Sequence, residues 1–251
     1  MRSWLLVSGA PAPYTADAAD FDGTNDYMSR ATKPTGIADG KQGTLSFWFR
    51  IDGGDAARMK LLSASNGAPI YCERTAGDIF NLGALNSVST TILDISTAAT
   101  HITSTTWKHF LASWDLATAG ARFIYISDVA DLSVTTFTDD TIDYDATADW
   151  LVGARSAADQ KFNGVLAEFF FHTTYLDISV VANRRKFISA TSTFVDLGAN
   201  GSTPLGVQPL IYQRVATAAA ASTFATNLGS GGDFTITGTL DAVTPPTPPN
   251  N

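Results

Sequence analysis

Apolar and polar side chains alternate with a period of two along most of this chain, and turn residues break the alternation at short intervals. In the segment 43–51, Leu45, Phe47, Phe49 and Ile51 fall on one side, and Thr44, Ser46, Trp48 and Arg50 on the other. Only an extended strand puts alternate residues on opposite faces, so the segment reads as a half-buried strand. Segment 108–116 repeats the pattern, with Phe110, Ala112, Trp114 and Leu116 opposed to His109, Ser113 and Asp115. After a loop containing Gly120, the segment 122–127 is its hairpin return. Segment 164–173 carries Phe169, Phe170 and Phe171 in succession, as expected of a strand covered on both faces. Further strands are predicted at 21–29, 60–64, 70–73, 79–82, 89–93, 150–154, 210–215 and 234–240. Asp22-Gly23, Asp52-Gly53-Gly54, Asn66-Gly67, Asn163-Gly164, Asn200-Gly201 and Gly229 to Gly232 supply the turns between them. So many short strands with such punctuation predict an all-β sandwich or barrel.

The acidic residues agree. Of 24, only Glu73 and Glu168 are glutamates, and aspartate suits turns where glutamate suits helices. One helix is predicted over about 177–189, with Asp177 as its cap and Arg184, Arg185 and Lys186 toward its C-terminal end. Residues 1–17 read as an N-terminal segment, 18–243 as one sandwich and 244–251 as a stiff Pro-rich tail. The start, with Trp4 to Val7 as its apolar core and Pro11 and Pro13 close behind, is too short for a signal peptide and reads as uncleaved. No run approaches the ~20 apolar residues that cross a bilayer, so membrane insertion is not expected. A net charge of −8 opposes nucleic acid as a partner. Cys72 is alone, so no disulfide forms within the chain.

Four segments in order carry a resemblance. They are Phe21 to Met28 (FDGTNDYM), Gly43 to Phe49 (GTLSFWF), Trp107 to Asp115 (WKHFLASWD) and Phe162 to Phe169 (FNGVLAEF). Together they resemble the laminin-G-like, concanavalin A-like lectin/glucanase jelly-roll domains over about residues 18–178. The region from Arg184 onward, with Val195 to Ser202, Pro209 to Tyr212 and Phe224 to Ile236, is similar to the C-terminal parts of such domains in tailed bacteriophages and prophages. The resemblance implies a concanavalin A-like jelly-roll sandwich. It further implies a non-enzymatic protein on the virion surface that displays a lectin-like domain. Its partners would be other virion proteins, copies of itself and host cell-surface glycan. A head or neck decoration without sugar binding is the alternative, and a carbohydrate-active enzyme module a more distant one.

Catalysis finds little support in the residues. Glucanases of this fold carry paired acidic residues on one strand, whereas Glu73 and Glu168 lie far apart. Aspartates could substitute, yet Asp139, Asp140, Asp143 and Asp145 do not alternate cleanly on one strand face. His101, His109 and His172 have no metal-ligand spacing and no Gly-x-Ser-x-Gly elbow accompanies them. The acidic stretch with Asp139, Asp140, Asp143 and Asp145 is the candidate for calcium, which takes six to eight oxygens; the competing reading is a solvated loop. Asp22 to Asp26 is a second such loop, with turn formation as its other reading. Trp48 beside Arg50, on the polar face of its strand, is the candidate sugar platform, unless a loop or the helix covers it.

Overall fold

The face of segment 42–51 that alternation assigned to the interior is the face that meets the core. Leu45, Phe47, Phe49 and Ile51 are all buried in the main apolar cluster. A computed structural model describes residues 17–64, 69–146, 149–155, 158–215 and 219–244. The expected uncleaved leader, the Asn66-Gly67 turn and the Pro-rich tail beyond residue 244 lie outside the described residues.

Among the described residues, sixteen strands build two antiparallel sheets. The first sheet takes the order β10 (Val129–Ala130), β9 (Arg122–Ile126), β8 (Lys108–Asp115), β3 (Gln42–Ile51), β13 (Asn163–His172), β1 (Ala18–Asp22) and β16 (Asp241–Val243), with β14 (Ile211–Gln213) also paired to β13. The second runs β11 (Ser133–Phe137), β7 (Thr91–Ser96), β6 (Phe80–Leu85), β5 (Ile70–Arg74), β4 (Met59–Ala64), β12 (Trp150–Val152), β2 (Tyr27–Arg30) and β15 (Thr235–Thr237). The molecule is thus an all-β jelly-roll sandwich. At its centre Phe47 stacks on Phe110 at 4.8 Å and on Phe169 at 5.6 Å, while Phe49 meets Phe80 edge-on at 4.8 Å.

Two predicted strands are interrupted by corners. Segment 21–29 splits because the Asp22 carboxylate accepts the backbone N–H groups of Thr24, Asn25 and Asp26 at 2.7, 2.9 and 3.1 Å. That turn sends β1 to the first sheet and β2 to the second. Segment 234–240 keeps only 235–237 as a strand and ends at Gly238, whose φ of +85° suits glycine and where a Cβ would lie 2.1 Å from the Asp26 carboxylate; a further strand begins at 241. β15 then closes the second sheet and β16 the first.

The three phenylalanines of β13 follow a bulge. Glu168 takes a φ of +50° where the pairing with β3 shifts register. Phe169 and Phe171 therefore enter the core, while Phe170 turns to a second cluster with Leu111, Phe187 and Tyr212 on the outer face of the first sheet.

The segment after β13 covers that outer face. Its one α-helix, α1, spans Val181–Arg184 and is much shorter than the predicted 177–189. Asp177 does not cap it; its carboxylate accepts the N–H and hydroxyl of Ser179. β-Branched Ile178, Val180 and Val181 favour helix weakly, and packing needs the chain spread across the sheet. Ile178 and Phe187 seat in the second cluster, whereas the next residue, Ile188, joins a third beside Trp48. The Arg184 guanidinium donates back to the carbonyls of Ile178 and Ser179 and, with Arg185, clamps the segment to Asp128 at the end of β9. These two arginines hold the Asp128 carboxyl below its ordinary range.

Candidate functional site

The two sheets present very different outer faces, and this difference locates the site. The face of the first sheet is closed. Trp48 projects there as alternation required, but it is only 4% exposed and Phe194 stacks on its ring at 4.4 Å. The sugar platform assigned to Trp48 is therefore corrected: the covering segment occupies the ring face that a sugar would need. Arg50 is engaged too, gripping both carboxylate oxygens of Asp52 at 2.6 and 2.7 Å, with Trp107 stacked 5.8 Å from its guanidinium. Ser46 Oγ and His109 Nε2 lie 2.8 Å apart beneath the same cover, both fully buried. Burial pushes His109 down to about 3, so it stays neutral in a packed interior.

At one rim of the sandwich the acidic stretch divides. Asp139 pairs with Lys41 at 2.7 Å, and Asp140 accepts from the Asn86 amide at 2.7 Å. Neither joins Asp143 and Asp145, so the expected set of four is replaced by a trio. A bridge between Gly40 and Ile142 brings in Asp39, and the carboxylates of Asp39, Asp143 and Asp145 offer oxygens within 4.8 Å of one another. Burial, together with the charges of Asp39 and Asp145, raises the Asp143 carboxyl above its ordinary value. The all-oxygen donor set suits a hard cation such as calcium in kind. Lys33 Nζ, however, already bonds the Asp145 carboxylate at 3.0 Å and its carbonyl at 2.9 Å. Any cation there competes with that ammonium. The Asp22 to Asp26 loop spends its carboxylates on its own backbone and on the N–H of Thr239.

The outer face of the second sheet is polar and partly open. Register places Asp94, Gly83, Tyr71 and Ser63 in one row across β7, β6, β5 and β4. Ser96, Asn81, Glu73 and Lys60 form the row beside it. Gly83 has a specific task. A Cβ there would lie 2.3 Å from Tyr71 Cζ, so only glycine lets the ring lie across the middle of the sheet. Lys60 Nζ sits 4.0 Å from the centre of that ring and 2.5 Å from Glu73, to which Arg58 adds a contact at 3.6 Å. The Asn81 amide holds the Asp94 carboxylate at 2.6 Å. Burial, with help from Asp94 and Glu73, pushes the Tyr71 phenol up to about 12, so it remains a hydroxyl donor at any physiological pH. Burial draws the Lys60 ammonium below its ordinary range, against the pull of Glu73. Tyr71, Asn81 and Asp94 are all partly exposed. The arrangement offers one aromatic ring, two carboxylates, an amide and two cations on a single surface.

The sequence reading missed this constellation. Its signals were a glycine inside a strand between Leu82 and Ala84, and polar residues alternating with apolar ones in Tyr71-Cys72-Glu73 and Leu93-Asp94-Ile95. Cys72, between Tyr71 and Glu73, faces the core and burial pushes its thiol up, so it is a packing residue. The two glutamates sit on different sheets: Glu73 in this surface, Glu168 buried where it accepts the Tyr212 hydroxyl at 2.6 Å.

Comparisons with known proteins agree with the fold. The family model for the laminin-G-type domain of the concanavalin A-like lectin/glucanases superfamily matches residues 22–181. No match to this chain was found among curated proteins. Among solved structures, a Bacteroides ovatus protein provisionally described as carbohydrate binding superposes with a TM-score of 0.64 at 12% identity, over 92% of this chain. This chain spans 60% of that protein's length. A heptameric SAP-like pentraxin from Limulus polyphemus superposes with a TM-score of 0.54 at 12% identity, over 92% of this chain and 95% of the pentraxin.

Proposed function

The chain belongs to the concanavalin A-like lectin/glucanases superfamily, and from that premise we propose that it is a non-catalytic recognition module. In this reading it sits on the surface of a tailed-phage particle and binds host cell-surface glycan. The observation that carries the binding role is the contrast between the two outer faces. The chain seals one with its own C-terminal segment and leaves the other open as a polar surface built around Tyr71. Sugars are recognised by stacking on an aromatic ring together with hydrogen bonds from planar polar groups. Tyr71 supplies the ring, and Asn81, Asp94 and Arg58 supply the polar groups, with Glu73 buried behind them as the partner of Lys60 and Arg58. The non-catalytic reading draws on the two glutamates sitting on separate sheets, where they do not form the glutamate pair of a glucanase strand. Among the described residues no helix is long and apolar enough to cross a membrane.

The particle role rests on the resemblance of the region after Arg184 to phage proteins. If the protein also takes calcium, Asp39, Asp143 and Asp145 would hold it, with Lys33 displaced, and the ion would stiffen that rim. Two experiments test the proposal. An electron-microscopy reconstruction of purified particles is expected to show this sandwich at a tail tip or fibre; its absence from the particle overturns the virion role. A glycan array is expected to give specific binding that Tyr71→Ala abolishes; a blank array overturns the recognition role.

A further inference from the structure

We infer that the open face of the second sheet selects neutral oligosaccharides and discriminates against their carboxylated counterparts. The inference rests on the recognition reading above and adds the class of ligand. It follows from how the charges on that face are committed. Its cations are Arg58 and Lys60, its anions Glu73 and Asp94, so the surface is balanced before any ligand arrives. Lys60 is not available to an incoming anion, because the residue is only 7% exposed and its ammonium sits 2.5 Å from Glu73, itself only 4% exposed. A sugar carboxylate that captured Lys60 would strand Glu73 without its partner in a desolvated position. Arg58 is exposed but shares Glu73. On the other side of the Tyr71 ring stands Asp94, whose carboxylate is held by a neutral amide, and it repels a second carboxylate. The whole protein adds to that repulsion with a net charge of −8.

Hydroxyl groups meet none of these penalties. A carboxylate such as Asp94 accepts from neighbouring sugar hydroxyls, the Asn81 Oδ1 can accept while its N–H groups stay on Asp94 and the Ile95 carbonyl, the Tyr71 hydroxyl can donate, and the part of the ring left exposed beside Lys60 takes the apolar face of the pyranose. Because no new ion pair forms, binding has little dependence on salt.

The test uses pairs of oligosaccharides that differ only in oxidation at C6. Suitable probes are cellohexaose with the matching β-1,4-glucuronan hexamer, and β-1,4-mannohexaose with its mannuronan hexamer, within a wider array of neutral and acidic glycans. The protein is the full chain, as wild type, Tyr71→Ala and Gly83→Ala. Gly83→Ala guards against misfolding, since its methyl meets only the movable end of the Tyr71 side chain and displaces the ring. The expected result is binding to neutral glycans and at least tenfold weaker binding to carboxylated partners. Affinity for the neutral ligand should change less than threefold between 50 and 500 mM salt (roughly, for a contact without new ion pairs). Both variants should lose at least tenfold while keeping a wild-type melting profile for Gly83→Ala. Preference for acidic glycans that both variants abolish would overturn this inference and leave the recognition face standing. Binding that neither variant changes, or no binding at all, would overturn the placement of recognition on this face and this inference with it.

Discussion

Lowering the pH from 7 to 4.5 acts on this fold chiefly through two of its three histidines, which the interior holds neutral. His109 is 1% exposed beside Trp48 and is pushed down to about 3 by burial. His101 is 3% exposed and is lowered to about 4, by burial first and then by the Lys108 ammonium, against the opposing charge of Asp131. In the unfolded chain both titrate near ~6.5. Each folded value lies below the unfolded one, so the unfolded chain binds more protons in between. Stability from these groups is therefore complete above pH ~6.5 and drains away as the pH falls toward the folded values. The slope is about 1.4 kcal/mol per pH unit per histidine, so two histidines over two units remove about 5 kcal/mol by pH 4.5. A domain's whole stability is about 5–15 kcal/mol, so this loss brings the protein near its unfolding threshold. The assay is urea unfolding followed by tryptophan fluorescence at half-unit pH steps. From these two the wild type should lose about 2.7 kcal/mol per unit below pH 6, and a His101→Gln/His109→Gln variant should show a much shallower line, with a remainder from His172, whose imidazole burial also holds below its ordinary value. A flat wild-type profile from pH 7 to 4.5, or an equal slope in the double variant, refutes the reasoning.

Three further outcomes follow from side-chain environments. Gln213 is fully buried and neither of its amide atoms has a hydrogen-bond partner; Gln213→Met keeps the volume, removes the stranded dipole and should stabilise by about 1–3 kcal/mol in urea titrations. Trp48→Ala should destabilise by about 3–5 kcal/mol, as for other buried large side chains, yet leave glycan affinity per folded molecule unchanged. Calorimetric calcium titrations should give tighter binding for Lys33→Ala than for the wild type and none for Asp143→Asn, because the lysine competes for Asp145 and Asp143 lies within the carboxylate trio.

Period-two patterning was enough to read most of the sandwich, because each strand buries one face and that requirement writes itself locally. The predicted segments 43–51, 108–116 and 164–173 came through almost unaltered as β3, β8 and β13. Strands that change sheet did not: the Asp22 corner is made by its carboxylate on the next few N–H groups, which alternation does not register, and the Gly238 corner meets a residue more than 200 positions away, the Asp26 carboxylate that accepts the Thr239 N–H. The helix was overestimated because its residues answer to the sheet beneath them rather than to one another. Asp143 and Asp145 were legible as acidic neighbours, but Asp39 reaches them only through the Gly40–Ile142 bridge. Trp48 was placed on the correct face of its strand, and what the local sequence lacked was Phe194, 146 positions later, lying over it. The Tyr71 surface escaped for the same reason: its members come from four strands, and none is unusual alone.

The most direct test of the account is hydroxyl-radical footprinting of the full chain, free and saturated with the tightest-binding oligosaccharide from the array. The account predicts that Tyr71 is readily oxidised in the free protein and protected by the glycan, while Trp48 and Phe187 resist oxidation in both states. Protection at the acidic rim or over the segment covering the first sheet, with Tyr71 unchanged, would contradict it.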